Sequence, residues 1–133
     1  MKTTILIIDD DEAILRALSR LLSQDHVVVC FSDPCAAIKY TKLNNVNLVI
    51  CDLLMPTLNG LTVLKEIRLI KPHCSRMLLT GYAELEATKH AIYKNIANII
   101  TAKPWDNFEL TMVINLLIEN SFLRANQYVE KES

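Results

Sequence analysis

Five short apolar runs alternate with segments of helical periodicity, and this alternation constrains the fold of the chain more than any other feature. The runs have the length of strands and are rich in β-branched residues, as in strands buried on both faces of a parallel sheet. They lie at residues 4–8, 27–31, 47–51, 76–80 and 98–101. Strands that alternate with helices predict a doubly wound α/β domain, with a five-stranded parallel sheet and helices on both faces.

Capping signals mark where several of the helices begin. Asp33 precedes a proline, which suits the first position of a helix because its missing N–H would be unpaired there. Asp106 followed three residues later by Glu109 is a capping-box pattern that predicts the start of the last helix. We interpret Trp105 and Phe108 as apolar anchors of that helix.

Size and charge limit the classes of protein to which the chain can belong. Its 133 residues, 51% of them hydrophobic, fit one ordinary domain with a full core. We assign residues 1–122 to that domain and residues 123–133 to a polar tail or the start of a linker. A net charge of -1 does not indicate direct nucleic-acid binding or a membrane surface. With no room for a signal peptide before the first strand, we expect a cytoplasmic protein.

Acidic, hydroxyl and amine side chains follow the predicted strands at the points where the strands end. Asp9 and Asp10 follow the first strand, Asp52 follows the third, Thr80 closes the fourth, and Lys103 comes just after the fifth. The carboxyl ends of parallel strands lie along one edge of a sheet, so these side chains should share a pocket. Three neighbouring carboxylates repel one another unless a proton or a cation intervenes. The pattern therefore predicts a divalent-cation site beside a carboxylate that can bond to phosphorus.

Each of these residues also has an ordinary structural interpretation. Asp9, Asp10 and Asp11 fit an acidic cluster at a helix amino terminus, where the helix dipole favours negative charge. Taken singly, Thr80 is a threonine at a strand end and Lys103 is a solvated lysine. Their occurrence together with Asp52, each at the end of its own strand, favours the pocket.

The ordered motifs resemble those of two-component response-regulator receiver domains over residues 3–120. The resemblance implies a flavodoxin-like receiver fold and a signalling switch, not an enzyme, that accepts a phosphoryl group from a sensor histidine kinase. It also allows a homodimer through the face of helix 4, strand 5 and helix 5, and an output domain beyond the last residue, Ser133. The matching segments are Ile8-Asp9-Asp10-Asp11, Cys51-Asp52-Leu53-Leu54-Met55-Pro56, Gly60, Leu79-Thr80-Gly81-Tyr82-Ala83 and Lys103-Pro104-Trp105.

The resemblance also implies a magnesium site. Asp9, Asp10 and Asp52 would hold Mg²⁺ together with the backbone carbonyl of Leu54. Asp10 would be the more direct ligand of the first two, with Asp9 acting partly through water. Carboxylate and carbonyl oxygens are the ligands that Mg²⁺ prefers.

The catalytic roles that the resemblance implies belong to three residues. Asp52 would be the phosphorylated carboxylate, Thr80 would bond a phosphoryl oxygen, and Lys103 would pair with the phosphoryl group. The peptide between Lys103 and its proline resembles one that is cis in the family. Ile100 departs from the pattern, since the family usually carries Tyr or Phe there, and an inward swing of an aromatic ring is therefore not available.

Two other functions remain open from the sequence. An aspartyl-phosphate hydrolase of similar fold would need a second catalytic acid after the first strand and a cap domain, and this chain has no segment for such a cap. A phosphorylation-independent pseudo-receiver would usually lack an acid or the lysine, and none is missing here. The acid at Asp52 favours the phosphorylatable receiver.

Overall fold

A five-stranded parallel sheet forms the centre of the molecule. The computed structural model describes residues 3–83 and 86–132. Within this part of the chain the sheet has the order β2-β1-β3-β4-β5, and every neighbouring pair is parallel. This confirms the predicted doubly wound, flavodoxin-like class. The elements are β1 (Thr4–Ile8), α1 (Glu12–Leu22), β2 (Val27–Phe31), α2 (Pro34–Leu43), β3 (Leu48–Cys51), α3 (Gly60–Ile70), β4 (Ser75–Thr80), α4 (Glu86–Tyr93), β5 (Ile99–Ala102) and α5 (Asn107–Glu132).

The core has two layers, one on each face of the sheet. Alternate strand residues point to opposite faces, so Leu6 and Val49 enter one layer while Ile7 and Ile50 enter the other. Helices α2, α3 and α4 cover the first layer, and α1 and α5 cover the second. Because both faces are covered, the strands are apolar throughout, which explains the continuous runs in the sequence.

Polar side chains cap the helices largely where the sequence indicates. Asp11 and Asp33 accept hydrogen bonds from the backbone N–H two residues further on, at 2.9 and 3.0 Å. Asp106 accepts one from the N–H three residues on, at 2.9 Å, which confirms one half of the capping box. Asn59 caps α3 by accepting from the Leu61 N–H, two residues on, at 2.7 Å, a role that we did not predict. Asn95, after α4, has a φ of 60°, the left-handed conformation expected at a helix end that lacks glycine.

Aromatic residues at the start of α5 behave differently from one another. Trp105 packs against the core layer beneath α1 and α5, as predicted. Phe108 is 73% exposed, so its predicted role as an anchor is wrong. The residue lies on the outward face of the first turn, where the helix presents no core contact.

The last helix crosses the boundary that we placed after residue 122. Helix α5 runs without a break to Glu132, and Arg124 donates hydrogen bonds to the His73 carbonyl at 3.4 Å and to Ser75 Oγ at 2.5 Å. The division into a domain and a tail therefore stays a prediction. No helix in the described ranges is both long and apolar enough to cross a membrane.

Candidate functional site

The predicted site residues meet at the carboxyl edge of the sheet, with Lys103 at the centre. The ammonium nitrogen of Lys103 lies 2.7 Å from Asp9 Oδ2 and 3.3 Å from Asp52 Oδ1. The Lys103 ammonium therefore bridges Asp9, which follows β1, and Asp52, which follows β3. The side chain of Lys103 is only 20% exposed, so this pairing takes place at the margin of the core.

Asp9 is the most deeply placed of the acids, at 3% exposure. Its Oδ1 atom accepts a hydrogen bond from the Asp11 N–H at 2.9 Å, while Oδ2 accepts from Lys103. Both carboxylate oxygens are thus held in place. Asp11 caps α1 with its own side chain, so only the first two acids of the triplet face the site.

Three carboxylates are close enough to bind one cation. Asp9, Asp10 and Asp52 each offer an oxygen, and these atoms lie within 4.8 Å of one another. Their exposure rises from buried Asp9 through half-buried Asp52 to exposed Asp10, so the group opens towards solvent. An all-oxygen, partly hydrated donor set of this kind fits Mg²⁺, which keeps several of its waters.

The electrostatics of the site favour added positive charge. Burial raises the pKa of the Asp52 carboxyl, the negative charge of Asp9 raises it further, and Lys103 acts against both. Burial alone would lower the pKa of Lys103, but its hydrogen bond to Asp9 and the charges of Asp9 and Asp52 outweigh this, and the pKa is raised. The acids therefore outweigh the lysine, which leaves a net attraction for a cation.

Thr80 ends β4 beside this pocket and is completely buried. Its Oγ1 atom accepts a hydrogen bond from the Tyr82 N–H at 3.1 Å. The hydroxyl is thus coupled to the loop that leads towards α4. Leu54 lies two residues beyond Asp52 and is 48% exposed. The role of its carbonyl as a ligand stays a prediction.

Gly60 brings the loop after β3 into close contact with Asp52. A Cβ atom at this position would lie 2.0 Å from the Asp52 carbonyl oxygen, and the Gly60 N–H donates to the Leu53 carbonyl at 2.7 Å. The close approach requires glycine. Gly81 differs, because a Cβ atom there meets nothing within 4 Å. No close contact therefore requires glycine at position 81 among the described residues.

We expect Gly60→Ala to lower the free energy of unfolding by about 2 kcal/mol, because the backbone around Asp52 must move to admit the methyl group. Gly81→Ala is the control and should change it by less than about 0.5 kcal/mol. Urea denaturation of both variants measures the difference. Equal stability of the two variants would show that the loop can accommodate a side chain at no cost.

The segment after β5 completes the site. The peptide between Lys103 and Pro104 is cis, as the resemblance implied.

Ile100, within β5, is partly buried against the core layer beneath α2, α3 and α4. The position where the family usually has an aromatic residue is therefore occupied by an aliphatic packing residue.

Similarity to known proteins agrees with this geometry. Residues 5–115 match the family model of the response regulator receiver domain. The chain belongs to the response regulator receiver family. The hydrogenase transcriptional regulatory protein HoxA of Bradyrhizobium diazoefficiens is 31% identical over 121 residues, which are 87% of this receiver and 24% of HoxA. The transcriptional regulatory protein GlrR of Escherichia coli is 28% identical over 118 residues, which are 88% of this chain and 26% of GlrR. The receiver thus spans about a quarter of the length of these relatives.

The fold is also similar to that of solved receiver-domain structures. The signal receiver domain of an HD domain-containing protein from Pseudomonas fluorescens superposes with a TM-score of 0.88 at 29% identity, covering 94% of this chain and 93% of that one. A CheY-like receiver domain protein from Methanospirillum hungatei has a TM-score of 0.87 at 23% identity, with coverage of 93% and 99%. The latter likeness concerns the fold alone.

Arg76 is a residue whose importance the sequence analysis missed. It lies in β4, an interior strand of the sheet, is 2% exposed, and donates hydrogen bonds to the backbone carbonyls of Cys74, Asn95 and Ile96 at 2.7 to 3.2 Å. Burial lowers its pKa to about 10, so it remains charged at neutral pH. A charged residue inside an otherwise apolar run was the available signal, because a buried charge needs specific partners.

Proposed function

We propose that this receiver accepts a phosphoryl group on Asp52 from the phosphohistidine of a sensor kinase, and that the modified domain then switches a partner or an output domain. The observation that carries the proposal is the position of the Lys103 ammonium between Asp9 and Asp52, 2.7 and 3.3 Å away. A cation held at this point can neutralise an anion that arrives at Asp52.

The transfer joins an Asp52 carboxylate oxygen to phosphorus while the bond between phosphorus and the histidine nitrogen breaks, leaving the electron pair on the imidazole. Asp52 must be ionised to attack, and Lys103 favours that form. Phosphoryl transfer depends mainly on positioning and charge stabilisation. Asp9 contributes by holding Lys103 in place through its 2.7 Å hydrogen bond.

Asp9, Asp10 and Asp52 would hold Mg²⁺, with the Leu54 carbonyl as a further ligand. When bound, the ion would neutralise phosphoryl charge and orient the group. Incubation with acetyl phosphate, followed by intact mass measurement, tests this part of the proposal. Phosphate uptake should occur with Mg²⁺ and fall to background with EDTA, and uptake that is independent of the metal would contradict it.

The response begins at Thr80. The Thr80 hydroxyl can donate to a phosphoryl oxygen on Asp52 while it still accepts from the Tyr82 N–H, so its movement towards Asp52 would draw the Tyr82 backbone with it. The loop that contains Gly81 and Tyr82 would then move, and α4 would follow. This route needs no aromatic ring at position 100. The residue there, Ile100, is β-branched and therefore stiff about its first side-chain torsion.

Lys103→Met should weaken this response while leaving the fold intact in Mg²⁺. Without the metal, the removal of Lys103 leaves Asp9 and Asp52 without their shared cation, and we expect a loss of about 2 kcal/mol in unfolding free energy. Mg²⁺ should restore most of this loss, and beryllofluoride, a phosphoryl mimic, should cause smaller changes in amide exchange than in the wild type. A full response to beryllofluoride would contradict the role of Lys103.

The aspartyl phosphate should be long-lived. Leu54 and Tyr82, at 48% and 51% exposure, follow Asp52 and Thr80 by two residues and carry no acid or amide to orient a water molecule. Leu54→Asn and Tyr82→Glu, singly and together, should accelerate dephosphorylation by about tenfold, as expected for a positioned proton acceptor or water-binding group. Decay of the phosphorylated protein, followed by mass, gives the rate. Unchanged decay in all three variants would reject this gating role.

We also propose the partners that follow from this role. A sensor histidine kinase would be the phosphodonor, and α4, β5 and α5 would form the face for a homodimer or another partner. HoxA and GlrR are named as transcriptional regulatory proteins, and each is about four times as long as the segment matched here. An output domain after Ser133 would fit that pattern.

A further inference from the structure

Thr88 in helix α4 has a buried hydroxyl that finds no partner among the described residues. The residue is 0% exposed, and its Oγ1 atom makes no hydrogen bond in the described part of the chain. A buried hydroxyl that lacks a partner is unfavourable compared with one in water. The described conformation of α4 is therefore less stable than one in which Thr88 Oγ1 has a hydrogen-bond partner.

Thr41 in helix α2 shows the usual arrangement. It is equally buried, and its hydroxyl donates to the Ala37 carbonyl one turn earlier, at 2.9 Å. Threonines inside helices commonly make this bond. The contrast shows that burial of a helical threonine does not by itself leave the hydroxyl unpaired.

The carboxyl end of α4 is firmly held. Arg76 donates from Nε to the Ile96 carbonyl at 2.9 Å and from Nη2 to the Asn95 carbonyl at 3.2 Å. Arg68, from α3, donates to the Lys94 carbonyl at 3.0 Å. Two guanidinium groups thus attach the end of α4 to a strand and to a neighbouring helix. Any displacement of α4 must be largest at the other end, in the half that contains Thr88.

Thr88 lies on the buried side of α4. It lies one turn before Ala91, which is buried in the layer beneath α2, α3 and α4. Ile100, from β5, packs against the same layer and offers no side-chain hydrogen-bonding atom. A shift of α4 that brings this hydroxyl to a backbone carbonyl or to water would give it a partner.

We propose that Thr88 sets the balance between the resting and switched positions of α4, since its unpaired hydroxyl destabilises the resting position and regains a partner when the amino end of the helix moves. This inference rests on the proposed phosphorylation of Asp52, which supplies the signal that moves the helix. A group that destabilises only one of two states shifts their equilibrium by that difference, and so changes the apparent affinity of the activating ligand.

Thr88→Val tests the inference, because valine keeps the shape and removes the hydroxyl. The variant should need about five- to tenfold more beryllofluoride in Mg²⁺ to reach the midpoint of switching, followed by amide NMR signals of α4. Its melting temperature without beryllofluoride should be equal to or above that of the wild type. Thr41→Val is the control. It should keep the wild-type midpoint but melt about 3 °C lower, since it loses a real hydrogen bond.

The outcomes separate the inference from the function on which it rests. If the wild type responds and Thr88→Val responds at the same midpoint, the role of Thr88 is refuted while the proposed function stands. A fall in melting temperature as large as that of Thr41→Val would also refute it, since the hydroxyl would then be paired in the resting state. If the wild type itself does not respond, the proposed function fails, and the inference fails with it.

Discussion

Asp52→Asn is expected to abolish phosphate uptake from acetyl phosphate. The amide oxygen and nitrogen are poor nucleophiles towards phosphorus, and no other carboxylate among the described residues both lies beside Lys103 and opens to solvent. Asp9 is buried with both oxygens bonded, and Asp10 makes no described contact with Lys103. Intact mass after incubation with Mg²⁺ measures the effect. Uptake at the wild-type level would exclude Asp52 as the acceptor.

Asp11→Asn is the matched control for that experiment. Asp11 is two residues from Asp9 in sequence, but its side chain caps α1, and asparagine caps helices equally well. The control should take up phosphate normally.

Without Mg²⁺, Asp52→Asn should also melt above the wild type, because burial and the charge of Asp9 disfavour the Asp52 carboxylate. Since the pKa of Asp52 is raised, this difference should shrink as the pH falls through that pKa and the wild-type residue becomes neutral.

Arg76→Met is expected to lower the free energy of unfolding by about 3 kcal/mol and the melting temperature by about 10 °C. Methionine fills part of the space but leaves the carbonyls of Cys74, Asn95 and Ile96 without their donor. Loss of a buried charge offsets part of this effect, so the expected cost is below the sum of three charged hydrogen bonds. Urea denaturation and thermal melting both measure it.

Arg68→Met is the control for Arg76. Arg68 also donates to a backbone carbonyl near the end of α4, that of Lys94, but it does so at the surface. We expect it to cost less than about 1 kcal/mol. Equal effects of the two substitutions would show that burial of Arg76 contributes nothing to the attachment of α4.

The parts of this structure that depend on local sequence could be predicted. The strand ends and the caps at Asp33 and Asp106 follow from patterns a few residues long. The approach of Asp9, Asp52 and Lys103 also followed, because the alternation of strands and helices places all strand ends on one edge.

Features that depend on contacts between distant segments could not be predicted in this way. The hydrogen bonds of Arg76 join β4 to the end of α4, and the spacing of residues in the sequence does not predict that these two segments come into contact. The exposure of Phe108 depends on which face of α5 meets the sheet. The sequence also could not predict that the Thr88 hydroxyl has no partner in the described part of the chain, since a threonine in a helix normally bonds to a carbonyl one turn back.

Identification of the phosphorylated residue tests the central claim most directly. Borohydride reduces an aspartyl phosphate to the corresponding alcohol, and peptide mass analysis then locates the modified side chain. After incubation with acetyl phosphate and Mg²⁺, we expect the modification on Asp52 and on no other carboxylate. Modification of Asp9 or Asp10, or phosphate that resists borohydride and lies on a hydroxyl or a histidine, would contradict the account.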